Sequence, residues 1–154
     1  MKSEAYKESL DSIVAIWSDE GGPMLDHIAL MATVSAILAN HFPHFFWTGF
    51  YRVVEGRLMI GPYIGTVGCL QIEFGRGVCG SAAQKRETII VPDVTKFPGH
   101  IACDPNSKSE IVVPVFNARH ELIAVLDVDS DQLDAFDDVD RAGLERICQL
   151  FQSL

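Results

Sequence analysis

Apolar residues recur along this chain at two periods, and the change from one to the other divides it into helices and strands. Between residues 4 and 17, Tyr6, Leu10, Ile13, Val14 and Trp17 stand three and four apart among acids and lysines, which predicts an amphipathic helix. After the break at Gly21-Gly22-Pro23, residues 24 to 40 are apolar nearly all round, and Ile28, Met31, Val34, Ile37 and Leu38 are all expected to be covered. Such a helix is either sandwiched or dimerising. From Phe45 the period becomes two. FFWTGFYRVV and RLMIGPYI flank the turn Glu55-Gly56 and read as a β-hairpin, with a third strand over Leu70 to Phe74. On the first strand Phe45, Trp47, Gly49 and Tyr51 share one face, while Phe46, Thr48 and Phe50 share the other, so Gly49 leaves a gap between two rings.

A short helix over Gly80 to Lys85 and a strand over Thr88 to Val91 come next, followed by a polar stretch from Pro92 to Lys108. EIVVPVF and LIAVLDVDS then form a second hairpin around the connection Asn117 to Glu121. The last helix begins at Asp137 and Asp138, whose carboxylates suit a helix start, and Leu144, Ile147, Cys148 and Phe151 form its apolar stripe. With no internal repeat and no low-complexity linker, the 154 residues predict one α+β domain over 1–154. A chain of this length buries roughly 68 to 70% of its unfolded surface, enough for one core.

Charge and cysteine usage narrow the function. Twelve Lys and Arg against 21 Asp and Glu give a net charge of -9, which repels phosphate backbones and anionic headgroups alike. Nucleic acid is thereby disfavoured as a partner. No apolar run is long enough to span a membrane, and the first residues, MKSEAYKESLDS, lack the apolar core of a secretory signal, so a cytoplasmic setting is expected. In a reducing compartment four cysteines are free, metal-bound or redox-active more often than structural staples.

The long loop is the first place to look for chemistry. Seventeen residues of little regular structure inside a compact domain are usually functional, and this segment carries Cys103 within FPGHIACDPNSKS. Phe97, Ile101 and Cys103 argue that it folds back over the sheet, and His100 would lower the thiol pKa if the loop brings it close. An inert, half-buried cysteine is the plainer alternative. Asp127 and Asp129, two apart on a strand, project from one sheet face, where the like charges need a cation or must retain a proton. A metal, an ammonium group and a basic partner all answer that need, and so does solvent at a strand end. Glu110 joins the pair if the register of the hairpin permits. Calcium would require a ligand spacing that is absent, and Cys69, Cys79, His100 and Cys103 contain no close pair of the kind zinc sites use. No metal is expected, and an amino group is the better occupant. Cys79, at the start of the short helix, is by local physics the most easily activated thiol, while Cys148 belongs to an apolar stripe.

WTGFY at 47–51, GPY at 61–63, GRGVCG at 75–80, GHIACD at 99–104, SEIVVPV at 109–115 and LDVDS at 126–130, taken with Cys69, Cys79 and Cys103, resemble the GAF-type free methionine-(R)-sulfoxide reductases. The resemblance implies a single GAF domain with a six-stranded antiparallel sheet flanked by helices, usually dimeric. It also implies that Cys103 attacks the sulfoxide sulfur, that Cys69 closes a disulfide with the resulting sulfenic acid, and that Cys79 has a lesser role. Thioredoxin would restore the dithiol, and no cofactor is bound. By the same resemblance Trp47 packs on the substrate methyl group and Tyr51 and Tyr63 shape the pocket. The chemistry of such a step then needs a proton for the sulfoxide oxygen, which crowding among Glu110, Asp127 and Asp129 would let one of them supply while the remaining charge holds the ammonium. A ligand-binding GAF module without catalysis and a thiol peroxidase or redox sensor are the rival readings, and neither explains the carboxylates.

Overall fold

The computed structural model describes residues 1–101 and 103–153, so Ala102 of the GHIACD motif and the final residue lie outside the described residues. Six strands form one antiparallel sheet: β1 Trp47–Val54, β2 Arg57–Ile64, β3 Gln71–Glu73, β4 Ile89–Val91, β5 Ser109–Phe116 and β6 Leu122–Ser130, in the order β3-β2-β1-β6-β5-β4. Among the described residues there are four α-helices, α1 Lys2–Asp19, α2 His27–His41, α3 Gly77–Lys85 and α4 Asp138–Cys148. Both predicted hairpins are present, and Val54 pairs with Arg57 across the Glu55-Gly56 turn. The last helix starts as expected: Asp137 accepts from Val139 N and Asp140 N and completes a capping box with Asp140.

Period two in the central strands sends alternate residues to two cores. Phe50, Ile111, Val113, Val115, Leu126 and Val128 meet α1, α2 and α4 on one face, while Tyr51, Val112 and Val125 meet α3 on the other. Three sequence expectations fail at the edges of this scheme. Phe45 packs in the helix-side core and Phe46 against the opposite cluster, because β1 begins only at Trp47 and Phe45 N instead donates to Phe42 O in a turn. Ile28 is 42% exposed, since α2 uses Leu30, Met31, Val34 and Leu38 to cover the sheet and leaves its outer side bare, and Val14 of α1 is 40% exposed while Tyr6 and Ile13 are buried. The gap at Gly49 is already filled. A bulge at Gly61-Pro62 shifts the β1–β2 register, sets Tyr63 opposite Gly49, and brings the two backbones so close that a Cβ on Gly49 would overlap that of Tyr63.

Where α4 crosses α1, the Tyr6 ring lies on Gly143 and its hydroxyl donates to buried Asp140 at 2.6 Å. Gly143→Ala would raise helix propensity by about 0.8–1.0 kcal/mol. The added methyl overlaps a ring pinned at its far end, so the variant is expected to lose about 1–3 kcal/mol net, read as a lower denaturant midpoint at unchanged slope.

Candidate active site

The hairpin register decides whether the three acids meet, and it brings them together. Trp47 pairs with Asp129, and Asp129 pairs in turn with Glu110, so one line of residues crosses β1, β6 and β5 on the face away from the three large helices. Asp127 sits one pair further on, between Gly49 and Val112. All three carboxylates are nine-tenths buried or more. α3 covers this face from above, and the loop from Pro92 to Lys108 closes its open end.

That loop folds back as expected, with Phe97, Ile101 and Cys103 half-buried. Ile101 lies against Gly77 at the start of α3, and Asp104 accepts from Thr66 Oγ1 at 2.6 Å and from Asn106 N at 2.7 Å. Cys103 is disulfide-bonded to Cys69, with Cα atoms 5.5 Å apart, so two loops from opposite ends of the sheet are clasped together. Beneath the clasp is a cavity with about 40 Å³ of free room, bounded by Trp47, Tyr51, Cys79, Cys103 and the three carboxylates among others. Trp47 is fixed from two sides, since Nε1 donates to Thr66 O at 2.8 Å and its ring stacks between Tyr51 and Tyr63 at centroid distances of 5.8 and 4.9 Å. Tyr63 braces Trp47 from behind and is not itself among the residues lining the cavity.

Electrostatics on this floor are dominated by burial and by like charge. Burial, and then the charges of Asp127 and Asp129, push the Glu110 carboxyl well above the usual carboxylate range. Asp129 is raised in the same way, by burial and then by Asp127, and Asp127 is raised by burial. Crowding of this kind disfavours ionisation of all three at once, so the cluster holds on to a proton more strongly than isolated carboxyls do. Cys79 reverses its sequence expectation: it stands near the start of α3, but the thiol is buried 3.9 Å from Glu110 Oε2, and burial followed by the Asp127 and Glu110 charges drives its pKa well up. A helix-start effect of a few tenths to one kcal/mol is overwhelmed by those terms. His100 reaches Glu110 Oε1 at 3.8 Å, so its ring faces a carboxyl of the pocket floor.

The sequence reading omitted some parts of the site. The Thr66–Asp104 bond was not anticipated, although Asp104-Pro105-Asn106 is a turn-forming triplet that could have marked it. Gly68 packs on the pocket wall, and a Cβ there would come within 3.1 Å of both Trp47 and the Tyr51 hydroxyl.

An antiparallel six-stranded sheet with large helices on one face and a loop-covered pocket on the other is the build of a GAF domain, and the GAF domain family model matches residues 11–152. Among curated proteins the chain is 46% identical to GAF domain-containing protein A of Dictyostelium discoideum, over 99% of this chain and 93% of that protein. It is 40% identical to the free methionine-R-sulfoxide reductase of Escherichia coli, over 95% of this chain and 86% of the relative. Among solved structures, the free methionine-R-sulfoxide reductase of Neisseria meningitidis in complex with its substrate superimposes with a TM-score of 0.92 at 39% identity, covering 99% of this chain and 89% of that one. The chain belongs to the GAF-domain family of the free methionine-R-sulfoxide reductases.

Proposed function

We propose that the protein reduces free methionine-(R)-sulfoxide to methionine, with Cys103 as nucleophile, Cys69 as resolving thiol and thioredoxin as the external reductant. The observation that carries this reading is the Cys69–Cys103 bond over a pocket floored by three buried acids and walled by Trp47. In the proposed sequence the Cys103 thiolate attacks the sulfoxide sulfur as a carboxyl protonates the oxygen. The protonated oxygen then passes from the methionine sulfur to Cys103: the sulfoxide S–O bond and the transient sulfur–sulfur bond break, the sulfenic S–O bond forms, and methionine leaves as the thioether. Cys69 then attacks Cys103, forms the disulfide and releases the oxygen as water, so the two electrons come from the two thiols.

Glu110 is the proposed acid, because burial and the Asp127 and Asp129 charges favour its protonated form and Cys79 and His100 both reach its carboxyl, and Asp127 is the proposed anchor for the substrate ammonium. Asp129 completes the charged floor. Trp47, held by Thr66 and its stacked tyrosines, offers a fixed apolar wall for the methyl group. Cys79 donates toward Glu110 and acts by positioning that acid. The Cys69–Cys103 bond lies over this pocket, so reduction, which frees the two clasped loops, is proposed to precede substrate entry.

Val67 and Leu70, which flank Cys69, are 80% and 73% exposed and offer an apolar landing for the thioredoxin surface around its attacking thiol. The bare side of α2, with Ile28, Ala32 and Ala36 one turn apart, suits the homodimer that the family leads one to expect. No described helix is long and apolar enough to cross a membrane, and a cytoplasmic location is proposed with the thioredoxin dependence.

A peptide-bound residue has no free ammonium for the acidic floor, so selectivity is expected to be large. With dithiothreitol as reductant, the free R epimer should be turned over at least about 10²-fold better than the S epimer or an oxidised peptide, because a buried polar site left unpaired rejects its ligand strongly. Equal rates on free and peptide-bound sulfoxide would defeat the proposal. Faster oxidation of the thiols by hydrogen peroxide than by the sulfoxide would favour a peroxide sensor in its place.

A further inference from the structure

Three buried donors of different chemistry converge under the disulfide. The Cys79 sulfur, an oxygen of Glu110 and an oxygen of Asp127 lie within 4.8 Å of one another, contributed by α3, β5 and β6. Asp127 is only 5% exposed and lines the cavity, yet its Oδ1 has no hydrogen-bond partner. A bare acceptor in a low-dielectric site is costly, and a cation against it removes the cost. Among the described residues, His100, 3.8 Å from Glu110, is the one basic side chain paired with any of the three carboxylates, and burial lowers its pKa, which favours the neutral ring.

We propose that Cys79, Glu110 and Asp127 form a binding site for a divalent ion of the zinc class, and that an ion there blocks turnover reversibly. The donor set selects the ion. One sulfur with two carboxylates, and an imidazole within reach, is a borderline-soft set that suits zinc and cobalt, whereas magnesium and calcium require six or more oxygens. Zinc bonds of about 2.0–2.3 Å need donors a little closer than 4.8 Å, a contraction that side-chain rotations can supply. Binding exchanges protons for the metal: the S–H bond breaks as the sulfur–metal bond forms, any proton held by Glu110 or Asp127 is released with it to solvent, and no electron moves. The donors line the cavity beneath the disulfide, which admits water-sized species while Cys69 and Cys103 are bonded. The sequence spacing of a structural zinc motif is absent, so the ion is an inhibitor rather than a resident part of the fold. The site rests on the donors alone; the block rests on the function proposed above, because the ion takes the place assigned to the substrate ammonium.

The oxidised protein isolates the test. With Cys69 and Cys103 bonded, only Cys79 and Cys148 remain free, so any sulfur bond to an added metal comes from one of those two. Titration with Co²⁺ should produce a sulfur-to-cobalt charge-transfer band with tetrahedral visible bands, and excess Zn²⁺ should abolish both. The bands should persist in Cys148→Ser and vanish in Cys79→Ser. Asp127→Asn should weaken Co²⁺ at least about 10-fold in calorimetry, the range that even outer-shell partners command. Circular dichroism establishes that each variant is folded. Absence of the bands at millimolar Co²⁺, or their survival in Cys79→Ser, overturns the site. Free methionine-(R)-sulfoxide should displace Co²⁺ from reduced Cys103→Ser protein; Co²⁺ retained at saturating sulfoxide overturns the block, and a protein that binds Co²⁺ but reduces no sulfoxide separates this proposal from the function.

Discussion

Cys103→Ser is expected to lower methionine formation from the free R sulfoxide by on the order of 10⁴-fold or more, because an alcohol cannot replace the thiolate that attacks sulfur. Cys69→Ser should behave differently. Its Cys103 can still take the oxygen, so rapid mixing should show one stoichiometric burst of methionine, followed by a thioredoxin-supported rate near zero. The pair of variants therefore separates chemistry from recycling in a single experiment. Cys79→Ser is the discriminating control. Its thiol is held protonated by burial and by two carboxylates, so it should keep the burst with a reduced rate. Loss of the burst in Cys79→Ser, with Cys103→Ser unimpaired, would transfer the nucleophile to the helix start and refute the assignment made here.

How far the site was readable depends on whether its determinants are local. The strands were legible because alternation is a local signal, whereas the register that sets Glu110 opposite Asp129 was left open by the sequence and is supplied by the structure. Faces failed where alternation ended, at Phe45 and Phe46, because a turn precedes Trp47 and resets the period. Cys79 failed for the opposite reason. Its local context lowers a thiol pKa, but the acids that raise it arrive 31 and 48 residues later on other strands, beyond the reach of any helix-terminus argument. The 34-residue step from Cys69 to Cys103 was likewise invisible to periodicity, since both lie in irregular loops, and it entered only through family resemblance. Glycine was misread at Gly49, where a missing side chain suggested a gap between two rings and instead admits the bulged strand beside it.

Glu110→Gln keeps the shape of the acid and removes its proton, and the expected loss in kcat is about 10²- to 10⁴-fold, the usual contribution of a positioned acid. Its pH behaviour distinguishes an acid from a structural residue. In the folded protein Glu110 titrates well above its ordinary range, so wild-type activity should fall as pH rises through that raised value. The residual activity of the variant should lack that alkaline limb. Stability should move the other way. A carboxyl whose folded pKa exceeds its unfolded value, ordinarily about 4.3, contributes stability fully below that value and loses it as pH climbs to the folded pKa, by about 1.4 kcal/mol for each unit traversed. Glutamine does not titrate, so Glu110→Gln should be at least as stable as wild type at neutral pH and more stable in mild alkali, measured by urea unfolding across the pH series. A functional site that holds three acids against burial predicts this opposition of activity and stability. A variant less stable than wild type throughout, with an unchanged pH profile, would make Glu110 a structural residue and leave the proton donor to Asp129.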